Sequence, residues 1–252
     1  MVCAMSQVMI VTGGGRGIGA ATCRLAAERG YAVAINYRRD AAAAERLADE
    51  LRGRGARVLA VQADVSDAAE VERLFATVDR SLGRPTALVN NAGILQRGAR
   101  VDEMTPERVL HTLAVNTLSV FLCSRAALLR MSTRHNGAGG SIVNLSSVAS
   151  RHGSPGAFVD YAASKAAVEA FTLGLAREVA AEGVRVNCVR PAVTRTEIHA
   201  SGGDPDRATR IAASLPMQRA GEPIEVAQAI LWLSSDEASY CTGSILDVTG
   251  GR

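Results

Sequence analysis

Five cysteines in 252 residues are too few and too scattered to staple a fold. Cys3, Cys23, Cys123, Cys188 and Cys241 are odd in number and form neither a CxxC pair nor a Cys/His cluster. That excludes a disulfide framework and a structural zinc site, and it fits reduced thiols in the cytoplasm. The four histidines, His111, His135, His152 and His199, lack metal-ligand spacing, so no metal is expected, and no Ser-His-Asp grouping is readable. Charge of one sign is also missing: 28 Lys+Arg face 25 Asp+Glu, a formal net charge of +3. Without clustered basic residues there is no reason to expect a nucleic acid or a membrane surface as partner. No unbroken apolar run approaches the roughly 20 residues that span a bilayer. The opening MVCAMSQVMIVTG has neither a charged leader nor a cleavage site. Aromatic residues make up only 4% of the chain, and there is no internal repeat or long linker.

What is present is an ordinary globular composition, 48% hydrophobic and 21% charged. Short β-branched runs at 8–11, 32–35, 58–61, 87–89, 141–145, 184–189 and 244–248 alternate with longer amphipathic segments. Continuous apolar runs suit strands buried on both faces of a parallel sheet. Ala68, Val71, Leu74, Phe75, Val78 and Leu82 follow the i, i+3, i+4 spacing of a helix lying on such a sheet. The expected architecture is therefore α/β: one doubly wound domain over 1–252, with about seven parallel strands and helices on both faces. The irregular stretch 194–223, rich in Gly and Pro, is long for a plain connection and reads as a lid over a binding site.

Thr12-Gly13-Gly14-Gly15-Arg16-Gly17-Ile18-Gly19 follows the first strand and opens the first helix. Glycines there permit a tight turn, close approach of a pyrophosphate to the backbone, and anion binding at a helix N-terminus. A flexible turn is the plainer reading, but position at the first βα junction points to a dinucleotide. The second strand ends Ile35-Asn36-Tyr37-Arg38-Arg39, with no acid at Tyr37 to hold a ribose 2′-hydroxyl. Arg16 and Arg38 instead suit a 2′-phosphate, so NADP is expected over NAD. An exposed pair of charges at a strand end is the alternative.

Tyr161 and Lys165 are four apart, which places both on one helix face. A neighbouring ammonium favours the phenolate and fits the phenol for general acid/base work, although such a pair also fits an ordinary surface contact. Ser146 and Ser147 follow the fifth strand at the carboxyl end, where ligands bind in open sheets; a turn or cap is the alternative. Asn116 falls inside the helix-like run 107–131, where Asn is unfavourable, and fits either a functional amide or a satisfied core residue. Asn90-Asn91-Ala92-Gly93 and Asp64 close two further strands, with Asp64 placed to accept from an adenine amino group.

Taken in this order, the motifs resemble the short-chain dehydrogenase/reductase family over essentially the whole chain. The resemblance implies a tetrad: Tyr161 as acid/base, Lys165 lowering its pKa and holding the nicotinamide ribose, and Ser147 orienting the substrate oxygen. Asn116 would anchor a water linking Lys165 to solvent. It also implies that Gly13, Arg16, Gly17, Ile18 and Gly19 line the pyrophosphate and adenosine side, that Arg38 beside Tyr37 meets the 2′-phosphate, and that Asp64 and Val65 flank the adenine. Asn91, Ala92 and Gly93 would reach the adenosine-side ribose, and Pro191, Val193 and Thr196 the nicotinamide amide and phosphate. Ala192 replaces the usual Gly after Pro191, which raises a question about the backbone there.

The spacing from Ser147 to Tyr161 is one residue longer than is common in the family. Pro155-Gly156, Asp160, Leu215-Pro216-Met217 and Glu237-Ala238-Ser239-Tyr240 resemble glucose dehydrogenase-like members. The implied activity is NADP(H)-dependent hydride transfer between a secondary alcohol and a ketone, a sugar or polyol among the candidates, in a homotetramer. The alternatives are a beta-ketoacyl carrier-protein reductase and a non-catalytic dinucleotide sensor. Glu182 stands where a carrier-protein reductase would place a base, although Arg134 offers another cation. A sensor has no need of the full tetrad.

Overall fold

In the computed structural model, which describes residues 7–252, the seven apolar runs become seven strands of one sheet. Cys3 and the start of the N-terminal stretch considered above lie outside the described residues. The strands are β1 Val8–Val11, β2 Ala32–Tyr37, β3 Val58–Gln62, β4 Ala87–Asn90, β5 Gly140–Leu145, β6 Val184–Pro191 and β7 Ile245–Val248. All pairings are parallel, in the order β3-β2-β1-β4-β5-β6-β7.

Side chains alternate across β1 and build two cores. Val8 and Ile10 join one apolar layer with Leu74, Phe75 and Cys123, beneath α3 (Ala68–Ser81), α5 (Ser119–Met131) and α7 (Val159–Val179). Met9 and Val11 face the other way, into a layer with Leu47, Leu51, Ile230 and Leu231. That layer is closed by α1 (Gly17–Glu28), α2 (Ala41–Gly53) and α10 (Pro223–Ser234). Fully buried strands need helices on both faces, and every β1 side chain is at most 1% exposed.

Local chemistry sets the helix starts. The Asp40 side chain accepts from Ala43 N at 2.9 Å and Asp67 from Glu70 N at 2.9 Å. Thr105 does the same for Arg108 N at the start of α4 (Pro106–Leu113), with Pro106 at the first helical position. Asp40 thus caps α2 from just outside its first turn. The run 107–131 is not one α-helix either: a π-helical turn, Ala114–Leu118, separates α4 from α5 and contains Asn116. Taken together, Pro106–Met131 is long and apolar enough by length and composition to cross a bilayer, which a search for unbroken apolar runs misses. Half of its most apolar window is buried inside the fold.

The strand order reverses between β1 and β4. The chain leaves the carboxyl end of β1 toward β2 and that of β4 toward β5, so the loops after the two strands diverge and open a crevice. The glycine-rich loop lies on one side of it and Asn91–Gly93 on the other.

Candidate active site

The glycine-rich loop is tied down before any ligand arrives. Asn91 Nδ2 donates to Thr12 O at 2.8 Å and Gly13 O at 3.0 Å, and the Asn91 and Ala92 amides both donate to Thr12 Oγ1 at 3.0 Å. The Asn91 amide nitrogen is therefore committed to the loop, and its side chain is a brace more than a free ribose ligand. A Cβ on Gly19 would lie 2.4 Å from Gly13 O and 2.6 Å from Asn91 Nδ2, so only glycine lets α1 pack against the loop this closely. Gly13 and Gly17 both have positive φ, 61° and 53°.

Helix α1 begins with neither a capping side chain nor an acid in its first turn; α5 lacks both too, but it runs on from the π turn and has no open N-terminus. Free amides at a positive helix end, on a loop that admits backbone contact, fit a pyrophosphate. Thr196 Cγ2 would lie 3.2 Å from a Cβ on Gly17, which puts the start of the 194–223 region directly over that loop. Arg16, Arg46 and Arg195 line an open cavity of about 700 Å³ beside Gly15 and Gly17.

Arg38 and Asp64 are brought together in a way the sequence did not indicate. Arg38 Nε lies 2.7 Å from Asp64 Oδ2, while Asp64 Oδ1 accepts from Ser66 N and Ser66 Oγ at 3.0 and 2.6 Å. Burial pushes the Asp64 carboxyl up, but the Ser66 bonds and Arg38 outweigh it and hold it below the usual range. Asp64 thus has a partner on each oxygen, and Arg38 arrives at the crevice with an acid at its side. Tyr37 is half-buried and Val65 buried.

The proposed proton-handling groups converge at the ends of β4, β5 and α7. Lys165 is 4% exposed, donates from Nζ to Leu145 O at 2.8 Å, and lies 5.8 Å from the centroid of the Tyr161 ring. Burial pulls its pKa down to about 8. Burial also pushes the Tyr161 phenol above its ordinary value, and a hydrogen bond with the Ser147 side chain opposes that rise. In the protein alone the phenol is accordingly held neutral. Desolvation thus outweighs the ammonium in the protein alone; the expected lowering of the phenol pKa draws also on a positively charged nicotinamide.

Asn116 is fully buried, with Oδ1 accepting from Ile94 N at 2.8 Å. Its Nδ2 donates to Ile94 O at 3.0 Å and to Ser164 Oγ at 3.1 Å. The amide clamps the Ile94 backbone and does not itself reach Lys165. Its place in the π turn explains how an Asn is tolerated mid-helix: the wider turn takes main-chain carbonyls out of the α-helical ladder. A Cβ on Gly93 would lie 3.4 Å from Asn116 Oδ1 and 3.6 Å from Lys165 Nζ, so the missing side chain leaves room over both groups, where a cofactor ribose would fit.

On the opposite wall, Ala192 is not among the residues with positive φ and donates N–H to Val248 O at 3.1 Å. Alanine therefore fits there without strain. Pro191 ends β6, Val193 is buried, and Val193 packs with Ala208, Ala220 and Ile211 in a small core of the 194–223 region. This region carries two short helices, α8 (Ile198–Ser201) and α9 (Arg207–Ile211); another, α6 (Ala149–His152), follows Ser147. It is latched to the facing loops by Gly98 N to Gly202 O at 3.4 Å and by Arg207 over the Phe158 ring at 5.6 Å.

Three features escaped the sequence reading. Buried Asn36 joins β2, β3 and the glycine-rich loop, accepting from Gly13 N at 3.3 Å and donating to Ala63 O at 3.0 Å. Asp160, whose side chain is 2% exposed, pairs with Arg108 at 2.9 Å, and Arg108 Nη1 donates to Arg97 O at 2.7 Å. This fixes the loop after β4 against the start of α7. The third feature is compositional: Lys165 is the only lysine in the chain, against 27 arginines, a fact hidden when the two are summed.

The family model described as enoyl-(acyl carrier protein) reductase matches residues 13–252. The chain is 51% identical over 245 residues to the uncharacterized oxidoreductase YgfF of Escherichia coli K12, covering 97% of this chain and 99% of that one. It is 39% identical to an NADPH-dependent aldehyde reductase-like chloroplastic protein of Arabidopsis thaliana, covering 97% and 93%. Among solved structures, a blue fluorescent protein from a metagenomic library in complex with NADPH superposes with TM-score 0.89 at 34% identity, covering 97% of each chain.

Because Lys165 is the only lysine, its ammonium can be followed alone by NMR on ε-¹⁵N-lysine-labelled protein. The expected midpoint is near pH 8, against about 10.4 for a lysine in water. The unfolded chain binds this proton up to the higher value, so this group's contribution to stability is level below pH 8 and rises between the two pKa values. A midpoint above 10 would contradict the burial described.

Proposed function

The chain belongs to the short-chain dehydrogenase/reductase family, oxidoreductases acting on carbonyl and alcohol groups, and we propose that it is an NADPH-preferring reductase of small carbonyl compounds. The observation that carries this reading is the convergence of Ser147, Tyr161 and Lys165 at the carboxyl ends of the strands, beside an uncapped helix N-terminus. The nicotinamide would supply or accept the hydride. Ser147 orients the carbonyl oxygen by donating a hydrogen bond. Tyr161 delivers the proton from Oη during reduction and receives it during oxidation. Lys165 holds the ribose and, together with the positive charge of an oxidised nicotinamide, offsets the desolvation that keeps the phenol neutral. The Asn116 side chain, in the π turn, holds Ile94 and through it the loop that faces Lys165. Closure of the 194–223 region excludes water.

Preference for NADPH is supported by Arg16 and Arg38 with Tyr37 in place of an acid. The 2′-phosphate would compete with Asp64 for the Arg38 guanidinium. The NADPH-bound neighbour and the aldehyde reductase-like relative agree in chemistry. Substrates would be ketones, aldehydes, sugars or polyols. The description of the matching family favours a second reading, an acyl-carrier-protein substrate. Against it, Glu182 accepts from Ser132 at 2.5 Å and stands 4.0 Å from exposed Arg134, so an acid accompanies the cation an acidic carrier would meet.

We also propose a homotetramer in the cytosol. The outer faces of the π turn, α5 and α7 expose Leu118, Phe121, Leu129 and Leu173, with the Phe121 and Phe171 rings 4.1 Å apart. At the other end, Trp232 and Tyr240 are exposed near the edge strand β7. Such apolar patches are poorly tolerated on a monomer. The described cysteines are free thiols, and burial pushes those of Cys123 and Cys188 up to about 12, as befits structural residues.

Three measurements check these readings. Tyr161→Phe should still bind NADPH but lose at least ~10²-fold in kcat with small carbonyl substrates; retained turnover would remove Tyr161 from its role. Arg38→Asp should raise the KM for NADPH far more than that for NADH, whereas equal losses would mean that Arg38 does not meet the 2′-phosphate. Light scattering should give about four times the 26.3 kDa chain mass, and a monomer mass would exclude the assembly.

A further inference from the structure

The groups assigned to the reaction ride on separate elements: Ser147 follows β5, Tyr161 and Lys165 lie on α7, and Pro191 ends β6. One ion cluster, buried at Glu169 and Arg190 and reaching the surface at Arg151, touches all three. Glu169 lies one turn beyond Lys165 on α7, with its side chain 14% exposed, and accepts two bonds from Arg190: Nε to Oε1 at 2.8 Å and Nη2 to Oε2 at 2.7 Å. The Arg190 side chain is 6% exposed and immediately precedes Pro191. Its third arm, Nη1, reaches Asp247 Oδ1 on β7 at 2.8 Å. Asp247 Oδ2 is held in turn by Arg151 at 2.9 Å.

Glu169 Oε1 also takes the hydroxyls that flank Ser147: Ser146 Oγ at 2.5 Å and Ser150 Oγ at 2.6 Å. Ser146 Oγ is 3.2 Å from Lys165 O, and Ser150 Oγ is 2.8 Å from Ser147 O. The charges of the cluster cancel in pairs. Burial pushes Glu169 up, but Arg190 and the two serines outweigh it, so the carboxylate stays ionised.

A buried ion pair is a poor way to gain stability, because desolvation consumes most of the Coulomb energy and apolar residues of similar size serve as well. What a bidentate Arg–carboxylate pair gives is direction: two parallel bonds fix both side chains and the backbones that carry them. Here the fixed backbones are those on either side of Ser147, one turn past Lys165, and at the start of the nicotinamide-side loop. We propose that Glu169 and Arg190 are positioning residues, which set Ser147 and Lys165 against Tyr161. This rests on the roles given to those three residues under Proposed function.

Three variants of the full chain test it: E169Q, the apolar pair E169L/R190M, and E169D, which keeps both charges. E169Q and the double variant should lose about 10- to 100-fold in kcat, the effect of a small misplacement of reacting groups, with the KM for NADPH within about threefold of wild type. E169D should recover part of the loss. In the double variant, which removes one charge of each sign, the single lysine signal should titrate away from the wild-type midpoint, because Lys165 is displaced from its buried place against Leu145 O. The double variant replaces E169Q should the latter fail to fold. A folded variant with kcat within twofold of wild type overturns the proposal, as does a loss of kcat that only tracks the unfolded fraction, or failure of all three to fold. If the wild type reduces no carbonyl compound, the functional reading has failed. The lysine signal then decides alone: a shifted midpoint in the double variant supports the positioning role and an unchanged one removes it.

Discussion

The reversal of strand order between β1 and β4 is the constraint on which everything else depends. Parallel strands place all their carboxyl ends on one edge of the sheet, and only at the reversal do two adjacent loops part instead of packing together. The glycine-rich loop, the free amides of α1 and the Gly93 opening over Lys165 all face this gap. Asn91 spans it from beneath, with a side chain spent on Thr12 and Gly13. The crevice is therefore held open and rigid by hydrogen bonds among protein groups, and a cofactor need not organise it.

Inside that frame the difficulty is to keep polar groups dry and in place. Lys165 has one carbonyl, that of Leu145, and its desolvation shows in the depressed pKa. Around it the fold places charges in satisfied pairs: Asp160 with Arg108 at the start of α7, and Glu169 with Arg190 farther along the same helix. The first ties that helix to α4 and, through Arg97, to the loop after β4; the second ties it to β6 and, through Ser146, to the loop after β5. The helix carrying the reacting side chains is thus fixed at two points along its length by directional bonds, where apolar packing alone would let it slide.

Much of this was legible in the sequence, for reasons that differ by element. The seven strands announce themselves because strands buried on both faces must be continuously apolar, and the observed bounds differ from expectation by one or two residues. The glycine-rich loop and the Tyr161/Lys165 pair are visible because their chemistry requires fixed spacing within one segment. Contacts between segments were not legible. Nothing in the local sequence says that Arg38 will meet Asp64, that Asp160 will meet Arg108, or that Asn36 will bridge two strands and a loop. The π turn at Asn116 was hidden for a related reason: an extra residue in a helical turn leaves the apolar pattern almost unchanged.

The choice of arginine at every basic position but one has a consequence outside catalysis. Amine-directed reagents such as acylating agents and cross-linkers meet a protein surface almost without side-chain targets, because guanidinium groups do not react with them at neutral pH. The single primary amine among the side chains lies at the floor of the crevice, where burial leaves far more of it unprotonated near neutrality than a lysine in water would show. A small electrophile that enters the crevice would thus mark one known side-chain amine, and a bound dinucleotide would shield it. The fold thereby carries its own reporter of cofactor occupancy.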